Sequence, residues 1–255
     1  MTTASAMEAS GTSSWSSPTQ TRFRQRDQVL IRLAEQLIRE QGLVSFRFSE
    51  LAPLAGCSAG TLYKHFSSKE DLLVAIFARH VEQMVERQPH FMTSELSFAE
   101  RWVAMHLCAV VAVNRSAWTL GFNTLGGAPK VVERASEYRV QELKMYLEQF
   151  YTAILRVVEA ARIQGELTAT DDEVKTLHAM MACFQRGASG VIHNPLMHNA
   201  VKQLNPREIY SAFAILVGTL DWQRPLQEDS YQRIIAEVEH QLSASEEQEA
   251  MVAAF

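Results

Sequence analysis

The chain has 255 residues, 47% of them apolar and 21% charged, the balance of a soluble globular protein long enough to bury a core without a metal or disulfide staple. Its three cysteines, Cys57, Cys108 and Cys183, are far apart and form neither a C-x-x-C pair nor a secreted framework, which suits a reducing compartment. The longest apolar runs, such as Leu107 to Val113 and Ala212 to Val217, fall well short of a membrane span, and the N-terminus carries no apolar signal region, so the expectation is a cytoplasmic protein with no membrane partner.

The net charge of −5 is unevenly divided. Between Thr21 and His80 nine Lys and Arg stand against six Asp and Glu, which makes that segment +3 and the remainder −8. A basic N-terminal fifth on an acidic body suggests a small polyanion-binding module.

Residues 1–20, rich in Ser and Thr with no apolar period, read as a disordered tail. From Arg22 to Gln41 the residues Val29, Leu30, Leu33, Ala34, Leu37 and Ile38 recur at helical spacing until Gly42 ends the pattern. The stretch Phe48 to Lys69, FSELAPLAGCSAGTLYKHFSSK, decides the functional reading. A short helix over Ser49 to Ala55 turns Leu51 and Ala55 inward, Ala52 permits a close crossing, and Gly56 supplies the turn. Ser58 then caps a second helix whose Leu62 and Phe66, four apart, face the core.

This is helix-turn-helix logic, with the second helix presented to the DNA major groove. Its outward residues, Thr61, Tyr63, Lys64 and His65, are all hydrogen-bonding types. Lys64 is suited to guanine O6 or N7, Thr61 to a base edge or thymine methyl, and Tyr63 and His65 to phosphates. Ser68 with Asp71 makes a capping-box-like start for the next helix, where free N–H groups beside Lys69 offer a phosphate site. That helix carries the stripe Leu72, Leu73, Ile76, Phe77, His80, Val81 and Met84 until Pro89.

The pattern stays helical beyond: Ser97 to Asn114, a short piece near Ala117 to Thr124, Val131 to Gln164, Asp171 to Ile192, Pro206 to Trp222 and Ser230 to Leu242, with no convincing strand. The expected architecture is all-α, an N-terminal three-helix helix-turn-helix domain joined to a larger C-terminal helical bundle. Its parts are a tail (1–20), a DNA-binding domain (21–68), a connecting helix (69–88), a ligand-binding and dimerisation domain (89–243) and a frayed end (244–255).

The segments LAEQLIREQG and FSELAPLAGCSAGTLYKHFSSKEDLL, with the Ala-x-x-x-Gly turn, TLYKHF and S-K-E-x-L in order, resemble the N-terminal domain of the tetracycline-repressor (TetR) family of bacterial regulators. The resemblance covers about sixty residues. It implies an all-helical homodimer that represses transcription from a palindromic operator of double-stranded DNA and is controlled by a small-molecule effector. By position it carries Thr61, Tyr63, Lys64, His65 and Lys69 over as DNA contacts. Arg47, joined to that set, stands where the family often has a Ser or Thr cap, and Pro53 falls at the edge of the same helix.

A largely apolar effector pocket is expected in the C-terminal domain, drawn from Trp102, Met105 and His106, from Trp118 and Phe122, and from Met145, Gln149 and Tyr151. Few basic residues surround them in sequence, which favours a neutral or weakly acidic hydrophobic effector, with Arg101 and Arg115 keeping a carboxylate open. The small residues Ala179, Ala182, Ala188 and Gly190, with Phe213, Leu216 and Leu220, suit a four-helix dimer contact.

No enzyme is expected and no cofactor or metal. The one E-x-x-H, Glu237 to His240, is half of what a di-iron bundle needs, no phosphate loop or nucleophile elbow is present, and His193 and His198 read as a polar loop. The alternative is a helical small-molecule-binding protein or enzyme with a vestigial helix-turn-helix, whose recognition helix would have lost the basic and polar residues present here.

Overall fold

The computed structural model describes residues 18–115, 125–192, 194, 196–199 and 204–253. The expected piece near Ala117 to Thr124, with Trp118 and Phe122, lies outside them, as does His193.

Helix α1 (Pro18–Gln41) buries Leu30, Ile31, Ala34 and Ile38 at helical spacing. It stops at Gly42, whose φ of 81° is one that L side chains rarely adopt. A 3-10 turn (Phe48–Glu50) leads into the short α2 (Leu51–Leu54), and then come α3 (Ala59–His65) and α4 (Lys69–Thr93). Leu30, Ile38, Phe46, Leu51, Leu62, Phe66, Leu72 and Ile76 close the N-terminal core.

Helix α4 belongs to both halves of the molecule. Leu72, Leu73 and Ile76 face the N-terminal core, while Val74, Phe77, Ala78 and Val81 enter the C-terminal one. Asp71 to Ala78 are therefore buried without interruption, where the sequence showed a single stripe; a helix covered on every side has no polar face to conserve. The expected stop at Pro89 falls instead at Thr93. Phe91 is buried and the Gln88 side chain donates to the Phe150 carbonyl at 2.9 Å, which holds the last turns in place.

Helix α5 (Phe98–Asn114) opens with a capping box in which Ser97 and Glu100 satisfy each other's backbone N–H groups. It is buried on nearly all sides and forms the centre of the C-terminal bundle. Among the described residues the remaining helices are α6 (Pro129–Val132), α7 (Glu137–Ile163), α8 (Asp171–Val191), α9 (Pro206–Val217) and α10 (Ser230–Ala253). The single helix expected over Val131 to Gln164 is thus two, because Ser136 caps a fresh start for α7.

A two-residue antiparallel ladder pairs Leu167 with Trp222 and Thr168 with Asp221, and it takes Trp222 out of the helix expected there. The backbone of α10 stays helical to Ala253, beyond the expected frayed boundary. Glu100, almost fully buried, accepts from the Ser230 hydroxyl at 2.6 Å and from the Arg233 guanidinium, so the start of α10 is fastened to the start of α5.

Candidate nucleic-acid interface and effector cleft

The turn between α2 and α3 is built by backbone bonds from Ala55 to Leu51, Gly56 to Pro53 and Cys57 to Ala52, with Gly56 at φ 60°. Ser58 then caps α3 by accepting from the Thr61 N–H at 3.1 Å, and its hydroxyl also meets the Thr61 hydroxyl at 2.9 Å. Leu62 and Phe66 are fully buried, which fixes the rotation of the helix. The outer face consists of Gly60, Tyr63 and Lys64, with Tyr63 57% exposed and edge-on to Phe48. Exposed Arg47 precedes the 3-10 turn and makes no side-chain cap.

Two residues expected on the outward, phosphate-facing set are placed differently. The His65 side chain is only 7% exposed; its Nδ1 meets Asp27 Oδ1 at 2.5 Å and its ring stacks on Phe23. The Lys69 ammonium donates to the backbone carbonyls of Leu43 at 3.2 Å and Phe46 at 2.7 Å, above the Phe46 ring. Both face partners from α1 and the loop after it, which no reading of α3 and α4 alone reveals.

Asp27, itself buried, also accepts from Arg139 Nη2 at 2.5 Å. Arg139 donates to Glu142 at 2.9 Å as well and lies over the Phe66 and Tyr138 rings. Burial opposes its charge, but Asp27 and Glu142 outweigh that and raise its pKa, so it stays a cation. Asp71 makes a second junction. Its carboxylate accepts from Ser67, at the end of the helix-turn-helix, and from the N–H and hydroxyl of Ser136 at 2.9 and 2.6 Å. Ser68 caps α4 as expected, by accepting from the Asp71 N–H, yet the carboxylate does not return to Ser68.

In the C-terminal domain a cleft of about 230 Å³ lies between α4, α5, α7 and α8. Its apolar wall includes Phe77, Val81, Met84, Val113, Leu147 and Phe150, and its polar groups are Tyr151, Gln185, Arg186 and Ser189. Of the expected pocket residues, Tyr151 lines it. His106 stands behind it, fully buried, with Nδ1 bonded to Gln185 Oε1 at 2.7 Å. Burial pushes the His106 imidazole down to about 3, against a smaller opposing effect of the Gln185 bond.

The other expectations for the pocket need correction. Trp102 is wholly buried and packs on Trp222, and Met105 is buried and lines a void of about 10 Å³. Met145 and Gln149 are exposed, because the inward face of α7 runs through Leu143, Phe150, Ile154 and Val157. Arg101 is bonded to the Ser94 carbonyl and Arg115 to Glu239, and neither lines the cleft; Arg186 is the basic residue that does.

The exposed apolar residues of α8 and α9 include Met180, 50% exposed, and Ile215, 74% exposed. Ala179, Cys183 and Gly187 share the exposed side of α8 with Met180. Phe213 and Ala188, which the sequence suggested for a dimer contact, are instead buried within the chain.

A short helix locked by its inner face, with Tyr63 and Lys64 outward, after a turn at Gly56, is the geometry of a helix-turn-helix, here joined to a larger helical bundle. Residues 30–76 match the family model for bacterial regulatory proteins of the tetR family. The match covers the N-terminal helices up to the first turns of α4, and this segment is similar to the N-terminal domain of that family. It is 25% identical over 136 residues to the fatty acid metabolism regulator protein of Bacillus subtilis (strain 168), covering 53% of this chain and 66% of that one. It is also 39% identical over 64 residues to the HTH-type transcriptional activator FasR of Mycolicibacterium smegmatis, covering 25% and 29%. The chain therefore spans less than two thirds of the length of either relative. Among solved structures it is similar in fold to RolR in complex with resorcinol, with a TM-score of 0.56 and 18% identity over 82% of this chain and 98% of that one. Among the described residues no helix is long and apolar enough to cross a membrane.

Proposed function

We propose that the protein is a cytoplasmic, homodimeric transcriptional repressor that reads a palindromic operator and is switched by a hydrophobic small molecule, acting by binding and not by catalysis. The observation that carries this reading is the rotation of α3, with Leu62 and Phe66 buried and Tyr63 and Lys64 outward. In this reading Lys64 and Thr61 read base edges, Tyr63 and Arg47 hold phosphates, and His65 and Lys69 brace the helix from within. The exposed faces of α8 and α9, around Met180 and Ile215, meet their symmetry mates.

The switch runs along α7. A ligand in the cleft touches Leu147, Phe150 and Tyr151, while Arg139 lies twelve residues before Tyr151 on the same helix, about 18 Å away at the α-helical rise. Arg139 holds Asp27, and Asp27 holds His65 at the end of α3. A ligand that prefers one position of α7 therefore biases the recognition helices, and a differential affinity of about 1–3 kcal/mol suffices.

The test is selection from random duplexes with the full chain. The expected product is a palindrome whose half-sites lie about one helical turn, 34–36 Å, apart, with affinity falling steeply with salt. Recovery of no enriched sequence rejects the reading.

A further inference from the structure

The cleft between α4, α5, α7 and α8 presents three polar side chains whose donors are unused. Gln185 is 6% exposed, and its Oε1 is taken by His106. That bond fixes the amide plane, and the Nε2 group, in a residue that lines the cleft, has no acceptor among the described residues. The Tyr151 hydroxyl likewise has no partner among them, and burial raises its pKa, so it keeps its proton. The Arg186 guanidinium lies 5.4 Å from the Phe77 ring centre and forms no ion pair among the described residues. The Ser189 hydroxyl is already spent on the Gln185 carbonyl, and no Asp or Glu lines the cleft among the described residues.

Resting on the reading of this cleft as the effector site, we propose that its ligand is an apolar monocarboxylate whose carboxylate is held by Arg186, Tyr151 and Gln185. Three donors, Tyr151 on α7 with Gln185 and Arg186 on α8, line one largely apolar cleft, and the matching head group accepts without donating. A carboxylate offers about four lone-pair sites and pairs in bidentate fashion with arginine; an alcohol brings a competing donor, and a thioester has one carbonyl oxygen and no charge at the head. The volume of about 230 Å³ lies below the range of about 300–1,000 Å³ common for drug-sized pockets, so a short to medium chain fits and a long one does not. The free acid and an acyl thioester share the acyl carbonyl; the unpaired guanidinium selects the acid.

The experiment is isothermal titration of the full chain with hexanoate, octanoate, octanol, methyl octanoate and octanoyl-coenzyme A. Octanoate is expected to bind about tenfold or more tighter than octanol and methyl octanoate, the size of one charge-assisted hydrogen bond. Arg186→Gln, at an exposed position, should erase that ratio by weakening octanoate far more than octanol. Gly190→Leu places a side chain where a Cβ meets no atom within 4 Å, and it should block both ligands. Octanol or the thioester binding as tightly as octanoate, or Arg186→Gln retaining the preference, overturns the carboxylate head while leaving the cleft as an effector site. If octanoate and octanol both bind and Gly190→Leu changes neither, the ligand sits elsewhere and both readings fall. No binding by any of the five compounds likewise rejects the proposal.

Discussion

Arg139 of the C-terminal bundle and Asp27 of the N-terminal helical module meet at 2.5 Å, although they lie 112 positions apart in the chain. The same carboxylate takes the imidazole of His65, so one buried acid ties α7 to the last residue of α3. Both domains lose a partner if that acid or that arginine is removed.

Removing Arg139 alone should therefore be costly. Arg139→Ala leaves Asp27 buried without its cation, and loss of one partner of a buried pair typically costs about 3–5 kcal/mol. Asp27→Asn combined with Arg139→Ala should cost less than the two separate losses added together. Urea denaturation of the four proteins in the double-mutant cycle measures the coupling, and additive losses contradict the pairing.

Lys64 and Lys69 should behave differently. Lys64 is exposed, so Lys64→Ala should leave the melting temperature unchanged, shift base preference and flatten the salt slope of operator binding by about one unit. Lys69→Met should lower the melting temperature by several degrees, since two carbonyls lose their donor. Equal effects of the two substitutions on stability would count against the internal role of Lys69.

A charge placed on the exposed apolar face should separate the subunits. Ile215→Glu or Met180→Glu should leave helical content and monomer stability intact and yield a monomer in sedimentation, with operator affinity lost in parallel. A dimer that survives both changes uses another surface.

Acid should weaken the fold through His106. Its folded pKa of about 3 lies below the ordinary value of 6.5, so the unfolded chain takes up the proton first as pH falls. Stability is then complete above about pH 6.5 and is lost progressively towards pH 3, with a slope approaching 1.4 kcal/mol per unit and a loss of about 2 kcal/mol at pH 5. His178, whose pKa burial also lowers, adds in the same direction. Urea titrations at pH 7 and pH 5 should show a flatter dependence for His106→Leu than for the wild type; parallel lines would refute the assignment.

The sequence by itself determined the helical class, the Ser58 and Ser68 caps, the turn at Gly56 and the inward Leu62 and Phe66. Each of these rests on bonds or contacts within about one helical turn, and short-range hydrogen bonding and apolar period are written in neighbouring residues. Tyr63 and Lys64 stayed outward for the same reason. Tertiary structure decided what depends on distant segments. It turned His65 onto Asp27 and engaged Lys69 with the loop after α1. It buried α4 on every side between two cores and split the helix before Glu137, where Asp71 takes hold of Ser136. It also replaced most of the expected pocket by Gln185 and Arg186, with Gln185 oriented by His106 from 79 residues away. A local pattern marks which residues are apolar or able to donate a hydrogen bond; only the packing of remote helices selects the partner each of them meets.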